Sequence, residues 1–399
     1  VARLGRSRPA AILSAVRHFL GSLLAVALFG AGVLAAAHEA NGALAEHRAG
    51  GFGSERRAEP APERVLAPPP GKRVYHAAYP DFGDAEQRVR AARIKRFERL
   101  ARKRVAWVYF SNNWWRGRIN FPAKQVRTIA RLGRVPFVRL MARSNWENGP
   151  DPNFATERIA SGEYDDALER WCARAAEAMA RYDTPLLAEF GTEVNGDWFP
   201  WNGRWNGGGL SDGFGDPTVP DGPERFVAAY RRIVEICRAE GAGGITWFFH
   251  VNSDDSPREA WNTYAAYYPG DEYVDWIGVS AYGLLKLGWS SRSFRRTLDR
   301  AYPKLAALSP TRPLAVLEYG HAETKRPGRK ARWLRRALRS VASGRWPRLR
   351  ALSIWHESWR NGDGTVSNLH IDTSSRSLRA YRRGVHHPRF TGRARFVAR

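Results

Sequence analysis

The chain has 399 residues, a formal net charge of +25, 16 tryptophans and two cysteines. The charge admits an acidic polysaccharide, an anionic membrane surface or nucleic acid as partner, but no Cys/His finger spacing, aromatic RNP pattern or basic region followed by heptads is present, so no nucleic-acid partner is expected. Arginine and alanine are abundant even on helix faces with no other sign of function, so a compositional bias explains the charge as well as a selected basic surface does.

In chain order, Arg3, Arg6, Arg8 and Arg17 precede an uncharged run from Phe19 to Ala37. This pattern reads as a signal peptide or a membrane anchor over residues 1–37, with small-residue cleavage sites at Ala35–Ala37 and Ala43–Ala45. The protein is then expected to be secreted, or held at the outer face of the cytoplasmic membrane through residues 19–37. Residues 38–72 are rich in Pro, Ala and Gly and carry no apolar period, which predicts a linker. Residues 386–399 form a basic tail. Cys172 and Cys237 cannot build a disulfide framework or a zinc site. They read as buried free thiols, with one bridge between neighbouring helices as the alternative in an exported chain.

Between linker and tail, over residues 73–385, short apolar runs alternate with stretches of helical spacing. The predicted strands are Val74–Tyr79, Val105–Phe110, Val135–Leu140, Pro185–Phe190, Gly244–Phe249, Val274–Val279, Pro313–Leu317 and Leu349–Trp355. The predicted helices are Ala85–Lys103, Ala123–Leu132, Tyr164–Tyr182, Pro223–Glu240, Pro257–Tyr267, Arg292–Leu308, Arg329–Val341 and Ser374–Arg382. Strict alternation predicts an α/β fold, a (β/α)8 TIM barrel, whose active site lies at the C-terminal ends of the strands.

Polar and aromatic residues follow every predicted strand. His76 lies in the first; Asn112 and Trp114 follow the second; Arg139 ends the third. Glu193, Asn195, Trp198 and Trp201 follow the fourth, Trp247 and His250 flank the fifth, Tyr282 follows the sixth, Glu318 the seventh and Trp355 ends the eighth. A retaining glycosidase needs two carboxyl groups ~5 to 5.5 Å apart, one as acid/base and one as nucleophile. Glu193 and Glu318 are the natural pair, with Glu323 and Glu357 as nearby substitutes. Trp107 and Trp276 lie inside strands and read as core. His250, His321 and His356 match no zinc spacing, and no metal or cofactor is expected.

The segment Thr192-Glu-Val-Asn-Gly-Asp-Trp-Phe-Pro-Trp201, together with Val74–Tyr79, Val274–Tyr282 and Leu314–Gly320, resembles glycoside hydrolase family 26, the β-mannanase family within the large clan of retaining barrel glycosidases. The resemblance covers about 310 residues. It implies that Glu193 is the acid/base, Glu318 the nucleophile and Tyr282 a hydroxyl beside it, with Trp198, Trp201 and Trp355 as sugar platforms. The chain departs from the family at Thr192, where His is typical, and at Glu189, where Arg is common, which marks a divergent branch and puts mannan in question as substrate. The expected protein is a monomeric, endo-acting retaining β-glycoside hydrolase on a mannan-like, β-glucan or bacterial exopolysaccharide. A catalytically silent polysaccharide-binding protein and a transglycosylase, each with the same cleft, are the alternatives.

Overall fold

The computed structural model describes residues 63–83, 85–145 and 148–399. The leader or anchor read over residues 1–37 and most of the linker lie outside the described residues. No described helix is long and apolar enough to cross a membrane.

Eight parallel strands close a barrel: β2 (Val74–Tyr79), β3 (Trp107–Asn113), β4 (Val135–Met141), β5 (Leu187–Phe190), β6 (Thr246–Asn252), β7 (Trp276–Ser280), β8 (Leu314–Tyr319) and β9 (Leu349–Trp355). Each pairs with the next, and β2 pairs with β9 from Tyr75/Ala351 to Tyr79/Trp355 to complete the ring. All eight predicted strands are present. The helices α1 (Ala91–Ala101), α2 (Ala123–Ala130), α4 (Asp165–Tyr182), α5 (Asp221–Ala239), α6 (Phe294–Leu308), α7 (Arg329–Ala342) and α8 (Ser375–Val385) form the outer layer, and a one-turn helix α3 (Thr156–Ala160) precedes α4. Their apolar stripes face the barrel, as Leu168, Trp171, Cys172, Ala175 and Ala178 of α4 illustrate.

The helix predicted at Pro257–Tyr267 is absent; turns occupy it. Its aromatic residues repeat at near-helical spacing, but they serve tertiary anchors instead. Asn262 donates to the carbonyls of Asn195 and Pro257, and Tyr267 donates to Asn262 Oδ1 at 2.8 Å. A mid-segment Asn that bonds to backbone competes with helix formation.

The domain limits also move. Arg64–Leu66, inside the segment read as linker, forms β1 and pairs antiparallel with Phe396–Ala398 (β13), inside the segment read as tail. Phe390–Thr391 (β12) adds to β2. Three-residue strands carry no legible period, and a partner more than 300 residues away leaves no local signal. Ser358–Arg360 (β10) and Val366–Asn368 (β11) make a hairpin beyond β9.

Inside the barrel, successive layers of side chains point inward from alternate residues. The lowest is aromatic: Trp107, Phe137, Phe248 and Trp276 lie edge or face to one another, with Phe137 and Phe248 centroids 4.6 Å apart. β1 seals it from below, where Leu66 N–H donates to Thr246 Oγ1 and Trp276 Nε1 donates to Leu66 O. On the outside, Cys172 of α4 and Cys237 of α5 form a disulfide, the second of the two readings of these cysteines.

Candidate active site

The β5 strand stops at Phe190 because the next residues take turn geometry. Gly191 has φ +70°, and a Cβ there would lie 2.3 Å from the Phe226 ring. Two residues on, Glu193 itself sits at φ +49°, a left-handed conformation that a residue with a Cβ adopts at a cost of ~1–2 kcal/mol. Val194 N–H to His250 O and Gly196 N–H to Glu193 O hold the turn. The Glu193 carboxylate accepts from Trp198 Nε1 at 2.8 Å and from Asn252 Nδ2 at 2.9 Å. Trp198 reaches it by folding over Gly196, where a Cβ would meet the indole at 2.2 Å.

Glu318 lies on β8 where the register slips against both neighbouring strands. Such irregularities re-aim a side chain. Its carboxylate accepts from Tyr282 Oη at 2.7 Å and faces Arg139 Nη2 at 3.4 Å. Both glutamates are nearly buried, at 8% and 5% exposure, and both line one cleft of about 1320 Å³. Burial, reinforced by the charge of Glu193, raises the Glu318 pKa to about 7, while Arg139 and the Tyr282 hydroxyl pull it down.

Beneath the pair lies a polar layer in which Arg139, Glu189 and His250 are buried and Glu86 is half-buried. Arg139 faces three carboxylates, Glu86 at 3.1 Å and Glu189 and Glu318 at 3.4 Å each. His250 Nδ1 contacts Glu189 at 2.9 Å and Thr192 Oγ1 at 2.8 Å, and its Nε2 contacts Ser280 Oγ at 3.0 Å. Burial, the largest single influence, lowers the His250 pKa, but the charge and hydrogen bond of Glu189 together with the charges of Glu318 and Glu193 outweigh it, so the net shift is upward. The departures from the family pattern, Thr192 and Glu189, therefore meet each other through His250 below the cleft. Neither lines it.

Of the predicted site residues, Glu193, Glu318, Arg139, Trp198, Tyr282 and Trp355 line the cleft. Five do not reach the cleft or its floor. His76 faces outward to Tyr381 Oη and Arg104 O; Asn112 accepts from Trp171 Nε1 of α4; Trp114 packs on Phe154; Trp247 packs on Tyr230 of α5; and Trp201 is buried against Phe199 with its Nε1 on Thr192 O. The reason for the strand residues is pleat parity: His76, Asn112 and Trp247 fall on the positions that point to the helices, while Tyr75, Trp107, Tyr109, Phe248 and His250 point inward. His250 and Asn195 lie in the floor and walls. Asn195 donates to Asn252 O and Asp255 Oδ1 and accepts from Asn252 N–H, so it positions Asn252, which makes the contact to Glu193.

The cleft also contains residues outside the predicted set, Glu86, Phe199, Asn252, Asp254, Asp255, Trp289 and Trp359, together with Glu357, read from the sequence as a substitute carboxylate. Asn252 follows the inward parity of Phe248 and His250 and was legible from it. Trp289 sits in a loop, 62% exposed, and nothing local marks it as cleft. Glu357 accepts from Trp355 Nε1 at 2.7 Å, and burial with the nearby Glu86 charge holds its pKa well above the usual carboxylate range. Glu323 is turned away, accepting from Thr373 Oγ1. Among the described residues, His356, His370 and Asp372 approach one another closely enough to hold a metal. However, His356 Nδ1 accepts from Ile371 N–H at 3.0 Å, which leaves the proton on Nε2 and removes that lone pair from coordination.

A closed parallel barrel with two buried carboxylates and aromatic faces at its C-terminal mouth defines a glycoside-hydrolase-like protein. The family model described as glycosyl hydrolase family 26 matches residues 153–311, a span that includes Glu193 and Tyr282 and stops before Glu318. The chain resembles that family, as its motifs predict. It is 30% identical over 220 residues to endoglucanase H of Acetivibrio thermocellus, covering 54% of this chain and 22% of that protein. It is 22% identical over 188 residues to β-1,3-xylanase TXYA of a Vibrio species, covering 46% and 35%. The chain thus spans between about a fifth and about a third of the length of these curated relatives. Among solved structures, the catalytic domain of the Bacillus sp. JAMB-750 GH26 endo-β-1,4-mannanase superposes with a TM-score of 0.54 at 15% identity, over 80% of this chain and 87% of that one. Bacillus subtilis mannanase man26 gives 0.53 at 15%, over 82% and 88%. At these identities the superpositions establish the fold.

Proposed function

We propose that the protein is a retaining, endo-acting glycoside hydrolase that cleaves a β-linked polysaccharide of the mannan or glucan type by double displacement. The observation that carries this reading is the contrast between two carboxylates in one cleft. Glu193 is held by neutral N–H donors, while Glu318 is held by a phenol and a guanidinium.

In the first step Glu193, protonated, gives its proton to the leaving glycosidic oxygen while Glu318 attacks the anomeric carbon. Burial is the main cause that raises the Glu318 pKa and it persists; with Glu193 neutral the second raising cause, its negative charge, is gone, and Arg139, His250 and Tyr282 favour the ionised form of Glu318. In the second step Glu193, now a carboxylate, takes a proton from water as water attacks the glycosyl ester, releasing Glu318. Trp198, Trp289 and Trp359 offer faces for pyranose rings along the cleft.

The test is turnover by the purified protein on β-mannan, β-1,4-glucan, mixed-linkage glucan, β-1,3-xylan and acidic bacterial polysaccharides, with product stereochemistry followed by NMR. The reading requires reducing-sugar release with retention of configuration, lost in Glu193→Gln and Glu318→Gln. Binding without release across the panel would establish the silent alternative, and products longer than the substrate the transglycosylase. The apolar run at residues 19–37 supports export or outer-face anchoring, which cell fractionation of the full chain tests.

A further inference from the structure

On the barrel's outer surface, α7 and α8 pack side by side and enclose a groove of about 710 Å³. Its lining includes Arg332, Arg335 and Arg339 from α7 and Arg376, Arg379 and Arg383 from α8. Both sets repeat at i, i+3, i+7, so each helix presents one row of guanidiniums on one face. A row of this length spans ~10 Å. The rows converge: a Cβ placed on Gly328 would meet Arg332 Nη1 and Arg376 Nη1 at 3.8 Å each. The helices come close at Gly384, where a Cβ would lie 2.4 Å from Leu338 Cδ1, and this contact makes the groove's floor.

All six arginines are exposed, no Asp or Glu lines the groove, and among the described residues none of the six forms an ion pair or a side-chain hydrogen bond. Elsewhere on this molecule arginines are commonly paired, as Arg134 with Glu98 and Arg232 with Asp165. Six like charges facing one another without an acid repel, and a polyanion laid between the rows would relieve that repulsion. The chemistry of the lining selects among polyanions. The groove contains no Trp, Tyr or Phe, and its one aromatic ring is the imidazole of His387, so it lacks the row of stacking faces that single-stranded nucleic acid uses. The exposed large apolar residues, Trp198, Leu210, Trp289, Val366 and Val397, lie off the groove, so nothing there would insert into a bilayer. What remains is a concave double row of planar forks, each matched to a carboxylate.

We propose that the α7/α8 groove binds a linear, carboxylate-bearing polysaccharide as a site separate from the cleft. Full-length protein would be titrated with polygalacturonate at several salt concentrations, alongside neutral mannan, vesicles of phosphatidylglycerol and phosphatidylcholine, and single-stranded DNA. The triple variant Arg335→Ala/Arg379→Ala/Arg383→Ala should weaken polygalacturonate binding at least tenfold and reduce the slope of log K against log salt by about two to three. A control that removes the same charge elsewhere, Arg127→Ala/Arg131→Ala/Arg170→Ala, should leave binding within twofold. Arg→Lys at the three groove positions keeps charge and fold while removing the planar fork, and should still weaken binding several-fold. Glu318→Gln should bind polygalacturonate as tightly as the parent, which separates this site from the proposed hydrolysis. Equal loss in the control, full binding by the Lys variant, or tighter groove-dependent binding of vesicles or DNA would each overturn the proposal.

Discussion

The two ends of the barrel are built from the same eight strands and do opposite things. At the N-terminal end, Tyr75, Trp107, Phe137, Phe248 and Trp276 fill the interior, and β1, paired with β13, closes it: Leu66 N–H donates to Thr246 and Leu66 O accepts from Trp276. At the C-terminal end, the inward positions of the same strands carry Arg139, Glu189, His250 and Glu318, and the cleft stays open. The lower layer stabilises by apolar burial. The upper layer costs stability, because several charges are desolvated together and depend on one another for compensation. The polar end is tolerable because the aromatic end is complete.

Breaking the polar end gives the largest effect. Glu318→Gln should lower kcat by at least ~10³-fold, measured on the best substrate of the panel, while the fold persists. The same variant carries a sign prediction. The folded-state pKa of Glu318, about 7, lies above the ordinary carboxylate value of 4.5, so the native state holds a proton that the unfolded state releases between those values. The parent's stability therefore falls as pH rises through that window, and above pH 7 Glu318→Gln should be the more stable protein by on the order of 3 kcal/mol, read from urea unfolding at pH 5 and pH 8. An inactive variant that is also less stable at pH 8 would contradict the account of a costly upper layer.

Arg139→Met removes the group that opposes burial at Glu318. The acid limb of kcat/KM, expected near the Glu318 value of about 7 in the parent, should move upward by about one unit or more, with kcat down ~10²-fold at neutral pH. An unmoved limb would separate Arg139 from the ionisation of Glu318. At the aromatic end, Trp276→Ala should cost ~3–5 kcal/mol and leave kcat of the folded fraction within twofold, a purely structural loss that calorimetry and active-site titration together distinguish.

Removing the disulfide by Cys172→Ala/Cys237→Ala releases a 65-residue separation between α4 and α5. The expected loss is ~2–4 kcal/mol, matched by adding a thiol reductant to the parent. The smallest effect is expected from Gly196→Ala. It pushes Trp198 off its seat and should lower kcat/KM ~10-fold with little change in stability, checked by the quenching of Trp198 fluorescence on sugar binding.

The strands, the clustering of chemistry at their C-terminal ends and the pair Glu193 and Glu318 follow from local patterns: apolar runs, turn residues, and a carboxylate placed where a run stops. Pairing of β1 with β13 and the position of Trp289 do not, because contacts between segments hundreds of residues apart leave no period in either segment. His76, Asn112 and Trp247 show a subtler boundary. Their residue types fit a sugar site, yet a one-position difference in pleat parity turns each toward the helices. Asn195 and Thr192 show another, since both stand within two residues of Glu193 in the chain, yet the Asn195 side chain bonds to Asn252 and Asp255 and the Thr192 side chain to His250. Sequence alone determined the eight barrel strands, seven of the eight expected helices and which end of the barrel carries the carboxylates, because those depend on local propensity and on the fixed polarity of parallel strands. Tertiary structure alone decided which side chains enter the cleft, because facing depends on register and closure, quantities defined only when all eight strands are in place.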